Sequence, residues 1–185
     1  MDNGTESYRR FLSGDNSALA EIIEEYKDGL ILFINGYVKN LHTAEELTEE
    51  TFFRLVVKRP GFSGNSSFKT WLYAVGRNLA LNFLKHRARE APLTDEATKV
   101  FSEQNDAFER QYLLAEQKLT VQKALSALPA QYAEVLHLVF FEGFKNADAS
   151  KIMHKSTRQI ENLVYRAKLA LKEELEKEGF TYENI

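Results

Sequence analysis

FSGNSSFKTWLYAVGRNLALNFLKHRAR, residues Phe62–Arg89, holds Lys69, Arg77, Lys85, Arg87 and Arg89 and no Asp or Glu. A loop rich in turn residues opens it, and a long amphipathic helix follows from near Ser67. Phe68, Trp71, Leu72, Val75, Leu79 and Phe83 recur at helical spacing and form a core stripe, so Trp71 reads first as a packing residue. Lys69, Tyr73, Arg77 and Arg87 share a sector well off that stripe, with Asn78, Asn82, Lys85 and Arg89 along one flank. A cationic stripe with a tyrosine among its charges suits a groove that tracks a phosphate backbone and stacks a base. The plainer alternative is a solvated helix face.

The charge distribution favours nucleic acid. Residues 51–89 carry eight basic groups and no acidic one, in a chain of net charge -3. Residues 1–50 carry four basic and eleven acidic groups, and residues 90–116 two and seven. Residues 117–185 are nearly balanced, with ten basic and nine acidic groups. Nonspecific DNA affinity rests on phosphate neutralisation, so an acidic chain with one basic sector binds DNA poorly by itself. Such a chain needs help to make its nucleic-acid contact.

Working outward, the 185 residues suffice for one domain or two small ones, with 44% apolar content for real cores. No apolar run approaches a membrane span and the polar N-terminus has no signal core, so a cytoplasmic protein without membrane insertion is expected. Zero cysteines exclude disulfides and thiolate chemistry. His42, His86, His137 and His154 are scattered, without metal-ligand spacing, and there is no P-loop, dinucleotide fingerprint or nucleophile elbow. No enzyme activity, metal, cofactor or small-molecule substrate is expected.

Upstream, residues 16–28 read as a short first helix and Leu30–Val38 as a buried second one. Thr43 and Glu46 have the spacing of a capping box before a helix from Ala44 to about Lys58. Ala44, Leu47, Thr48, Thr51, Phe52 and Leu55 fall on its core face, and Glu46, Glu49, Glu50, Phe53 and Val57 on the other. Acids around an exposed phenylalanine resemble a protein-docking patch with a polar rim. A solvated face with Phe53 packed on a neighbouring segment is an equal reading.

Downstream, periodicity weakens over residues 91–105, an acidic linker. Tyr112, Leu113, Leu119, Val121, Ala124, Leu125 and Leu128 suggest one or two helices before Pro129. A helix from Pro129-Ala130 to Glu142 follows, with Tyr132, Val135, Leu136, Val139 and Phe140 inward, ended by Gly143. Asn146 is placed to cap a short helix, Ala147–Met153. His154-Lys155 makes a tight turn, and Ser156 with Gln159 forms a second capping box opening a helix to about Lys177. This pair is a helix-turn-helix. Ile160, Leu163, Val164, Ala167, Leu171 and Leu175 face inward; Arg158, Asn162, Tyr165, Arg166, Leu169 and Lys172 face out. Arg158 suits guanine and Asn162 adenine in a major groove, while a packed hairpin with a mixed-charge surface is the bland reading.

Two blocks together resemble a known family. AEELTEETFFRL followed by FSGNSSFKTWLYAVGRNLALNFLKHR is similar to region two of sigma-70 family RNA polymerase sigma factors of the extracytoplasmic-function group. ALSALPAQYAEVLHLVFFEGF, the helix-turn-helix and YRAKLALKEEL resemble their region four. The resemblance implies an all-α chain: sigma region 2 over residues 1–90, the linker 91–105, sigma region 4 over 106–178 and a tail, 179–185. It implies core RNA polymerase, promoter DNA and an anti-sigma factor as partners. Glu46, Glu49, Glu50, Phe53 and Val57 would dock on the clamp helices of the polymerase. Phe62, Asn65 and Ser66 of the loop, with Lys69, Tyr73, Arg77, Asn78, Lys85, Arg87 and Arg89, would hold the melted minus-ten strand. Lys155, Thr157, Arg158, Gln159, Asn162, Tyr165 and Arg166 would read the minus-thirty-five element, and region four would also touch the polymerase flap. His154 stands where the family often has Gly, and Glu161 where it usually has a basic or neutral residue. A stand-alone helix-turn-helix regulator is the alternative, and it leaves the basic sector 51–89 unexplained.

Overall fold

Helix begins nearer the N-terminus than periodicity suggests. The computed structural model describes residues 3–62, 64–90, 120–121 and 123–179, and no strand occurs among them. The first helices are α1 (Asn3–Leu12), α2 (Ser17–Val38), α3 (Leu41–Lys58) and α4 (Phe68–Glu90). A second group comprises a short helical stretch, α5, at residues 123–127. It continues with α6 (Ala130–Leu136), a wider π turn (His137–Phe141), α7 (Asn146–Met153) and α8 (Thr157–Lys177). The expected linker 91–105 and the candidate core residues Tyr112, Leu113 and Leu119 lie outside the described residues, as does the tail beyond Gly179.

α1 was not expected, because NGTESYRRFL is mostly polar. Two of its side chains explain it: Tyr8 and Phe11 are fully buried. The Tyr8 ring lies 5.1 Å from Phe68 and 5.6 Å from Trp71, and its hydroxyl donates to the Pro60 carbonyl at 2.7 Å. Rings of this size each contribute on the order of 2–3 kcal/mol when buried. Arg10 ties the same helix to the next turn through Asp15 at 2.6 Å and Glu21 at 3.0 Å.

The two helices expected over residues 16–38 are one. Ile22, Tyr26, Leu30, Ile34 and Val38 continue a single buried stripe at four-residue spacing. α3 starts at Leu41 rather than Ala44, because the Asn40 side chain accepts from the Thr43 amide at 2.9 Å and caps it. The expected Thr43–Glu46 box is therefore not the cap. Its core face is as read: Ala44, Thr48, Thr51, Phe52 and Leu55 are buried. The hydroxyls of Thr48 and Thr51 are satisfied by the Ala44 and Leu47 carbonyls, each at 2.8 Å.

In the second group Val135, Leu136, Leu138, Ile152, Met153, Ile160 and Ala167 are buried. Phe140, expected inward, is 53% exposed. The π turn explains it. The Glu142 amide bonds to the His137 carbonyl five residues back. The widened turn rotates the side chains after it away from the 3.6-residue stripe. Gly143 then turns the chain at φ 69°, and α7 starts at Asn146 without a side-chain cap, so Asn146 is not the expected N-cap.

Candidate nucleic-acid interface

α3 presents the acidic and aromatic face named from sequence. Glu46 and Glu49 are exposed, Phe53 is 59% exposed and Val57 60%. Phe53 is thus not packed under a neighbouring segment. Glu50 is half-buried and accepts from Arg54 at 2.7 Å. Val56, Leu41 and Leu32 are also exposed apolar side chains. Leu32 escaped the sequence because it sits within an unbroken apolar run that gives no facing signal.

The helix-turn-helix is built as its residues suggest. His154 takes the left-handed conformation at φ 53°, ψ 47°, and releases the chain from α7. The Ser156 oxygen accepts from the Gln159 amide at 3.2 Å, and Gln159 Oε1 accepts from the Ser156 amide at 2.8 Å. That reciprocal cap commits the Gln159 side-chain oxygen, so Gln159 orders the helix start as well as lying on its exposed side. Thr157, Arg158, Asn162, Tyr165 and Arg166 are exposed along α8, and Lys155 is half-buried in the turn. On the same domain Phe141 stacks on His137 at 5.4 Å, and Lys168 Nζ lies 4.7 Å over Phe140.

The basic stripe of α4 is divided. Asn78, Lys85, Arg87 and Arg89 are exposed, as is Asn65 in the loop. Phe62 is half-buried, with its ring 5.8 Å from Trp71, and Ser66 is half-buried too. Lys69, Tyr73 and Arg77 do share one sector, but that sector is not open to solvent. Tyr73 is 1% exposed, packed against Phe33 at 5.2 Å and edge-on to Phe144 at 5.2 Å. Arg77 Nε donates to Glu134 Oε1 at 2.6 Å. Lys69 Nζ lies 3.0 Å from Glu142 Oε2 and donates to the Glu142 carbonyl at 2.8 Å. Spacing put these three together correctly; the second domain contacts all three, and α2 covers Tyr73 from the other side.

Charge and burial reinforce this contact. Burial opposes the charge on Arg77, but the hydrogen bond and charge of Glu134 outweigh it and raise the guanidinium pKa. Burial likewise opposes the Glu142 carboxylate, yet His137, Tyr73 and Lys69 overcome it and hold its pKa at about 2. The hydroxyls of Tyr37 and Tyr73 are pushed up, first by burial and then by Glu134 and Glu142 respectively. No cluster of three or more His, Cys, Asp or Glu residues suited to a metal occurs among the described residues, nor does a helix long and apolar enough to cross a membrane.

Residues 22–90 match the family model for sigma-70 region 2, and residues 118–171 that for sigma-70 region 4. Together they take in more than half of the chain. The chain belongs to the sigma-70 family. Its relatives place it in the extracytoplasmic-function group. This sigma factor is 27% identical over 175 residues to the RNA polymerase sigma-H factor of Pseudomonas aeruginosa, covering 90% of this chain and 91% of that one. It is 28% identical over 152 residues to the factor SigM of Bacillus subtilis, covering 82% and 91%. In fold it is similar to the sigma factor RpoE, solved in complex with the anti-sigma factor NepR from Bartonella quintana. That likeness has a TM-score of 0.68 and 24% identity, over 85% of this chain and 96% of that one. It is an all-α transcription initiation factor with a helix-turn-helix in region four.

Proposed function

We propose that this sigma factor binds core RNA polymerase and directs it to specific promoters in the cytoplasm. The observation that carries this is the outer face of α3. Phe53, Val56 and Val57 stand exposed beside Glu46, Glu49 and Glu50, while the opposite face of the helix is buried. Apolar side chains held in water at the centre of a charged rim suit a protein partner. Core polymerase is that partner, held by Glu46, Glu49, Glu50, Phe53 and Val57.

Residues 1–90 then serve as region two, joined by 91–105 to region four at 106–178. The loop residues Phe62, Asn65 and Ser66, with Lys69, Tyr73, Arg77, Asn78, Lys85, Arg87 and Arg89, hold the melted minus-ten strand. Lys155, Thr157, Arg158, Gln159, Asn162, Tyr165 and Arg166 meet the minus-thirty-five element in the major groove. An anti-sigma factor is a further partner, as NepR is for the Bartonella quintana sigma factor.

The reading is tested by comparing promoter binding by the free protein with binding by the protein loaded on core polymerase. Promoter-specific binding should appear only with core. Specific duplex binding by the free chain, with no gain from core, would instead make it a stand-alone regulator.

A further inference from the structure

We propose that α1 is a positioning element for the loop between α3 and α4, with Tyr8 as the residue that sets where Asn65 and Ser66 meet a base. Tyr8 is fully buried and touches no strand itself. It acts through the loop, and its role rests on that loop taking a base of the melted minus-ten strand. α1 ties the loop at both ends. At the entry the Tyr8 hydroxyl donates to the Pro60 carbonyl at 2.7 Å, and the Arg59 guanidinium lies 5.1 Å over the Phe11 ring. At the exit Phe68, the first residue of α4, packs its ring 5.1 Å from that of Tyr8. Phe62 joins the same cluster, 6.1 Å from Phe68 and 5.8 Å from Trp71, which is 5.6 Å from Tyr8. Between these ties Gly64 turns the chain at φ 75° and, with Asn65, is exposed, while Ser66 is half-buried. The loop therefore offers its polar residues from a fixed frame.

Two features separate this role from the filling of a core. A ring without the hydroxyl would occupy the same space, yet Tyr8 adds one bond, across 52 residues, to the loop backbone. Proline has no amide hydrogen, so at Pro60 the carbonyl is the only backbone group by which the loop can be held. Burial raises the Tyr8 pKa over the opposing pull of Arg59, so the hydroxyl keeps the proton it donates. α1 is also firmly seated. Ser7 Oγ donates to Glu21 at 2.8 Å, and Arg10 reaches both Asp15 and Glu21. A Cβ on Gly4 would come within 2.5 Å of Tyr26 Oη and 2.7 Å of the Phe68 ring, so glycine lets the helix lie this close. Hydrogen bonds weaken steeply with misalignment, so a loop that drifts loses discrimination between bases before it loses contact. α1 lies ahead of residues 22–90, which match region two.

The test uses holoenzyme formed from core polymerase and the full chain, wild type or variant. It transcribes a barcoded template library randomised through the minus-ten region, and sequencing the barcodes of the transcripts gives the base preference at each position. Tyr8→Phe keeps the ring and should lower the preference at one position about fivefold, the scale of one hydrogen bond. The other positions and the affinity for core should be unchanged. Gly4→Ala and Phe11→Leu should act on the same position, and Asn65→Ala with Ser66→Ala should erase the preference there. Equal losses at every position in Tyr8→Phe overturn the proposal, since Tyr8 then only packs. Unchanged preferences in Tyr8→Phe, beside a loss in the Asn65 and Ser66 variant, overturn the role of Tyr8 alone. Unchanged preferences in the Asn65 and Ser66 variant overturn the reading of the loop, and the role of Tyr8 with it.

Discussion

Arg77 of α4 and Glu134 of α6 form an ion pair at 2.6 Å, with side chains only 12% and 3% exposed. The pair joins the cationic helix of region two to the first helical segments of region four, with Tyr37 beside it. Arg77→Ala leaves Glu134 buried without its cation, and removing one partner of such a pair costs on the order of 3 kcal/mol. We expect a lower urea midpoint for Arg77→Ala. Adding Glu134→Gln should recover most of the loss, because the uncompensated charge is gone. An unchanged midpoint in the single variant would show that the pair does not form in solution.

Glu142 gives the domain contact a pH dependence of definite sign. Its carboxyl is held at about 2 in the folded chain, against an ordinary 4.5. A depressed pKa contributes stability that is present in full above pH 4.5 and is lost as pH falls toward 2. The contribution at neutral pH is on the order of 3 kcal/mol. Unfolding measured from about pH 6 down to about pH 2 should show this loss in the wild type and a flatter profile in Glu142→Gln. Parallel profiles would refute the assignment.

Phe53 and Glu49 lie on the proposed docking face and not in the core. Phe53→Ala with Glu49→Lys should leave the helical circular dichroism and the unfolding midpoint within about 0.5 kcal/mol of wild type. Its affinity for core polymerase should fall tenfold or more, which corresponds to at least about 1.4 kcal/mol. Unchanged affinity would place the docking face elsewhere.

His154 holds a left-handed turn that favours glycine. His154→Gly should raise stability by about 0.5 kcal/mol, relief of strain being partly offset by chain entropy. A decrease would mean that the imidazole makes a contact worth more than the strain.

The periodicity of the apolar residues governs how much of the fold was legible in the sequence. The core faces of α3 and α8 and the Ser156–Gln159 cap are local, and local chemistry specified them. α1 rests on Tyr8 and Phe11 finding partners far along the chain, and nothing in NGTESYRRFL announces that. Asn40 outcompetes Thr43 as a cap because the helix begins earlier than its apolar face does. A second domain covers Arg77 and shares with α2 the covering of Tyr73, and helical spacing sets which residues share a sector but not what covers it. Phe140 turned outward because a π turn, invisible to a 3.6-residue count, intervenes.

The proposed function requires that this sigma factor programme core polymerase. Run-off transcription of genomic DNA by purified core polymerase, with 5′ ends mapped, tests it most directly. The protein should create a discrete set of start sites that share upstream elements and are absent with core alone. Start sites unchanged by the protein would show that it does not programme the polymerase.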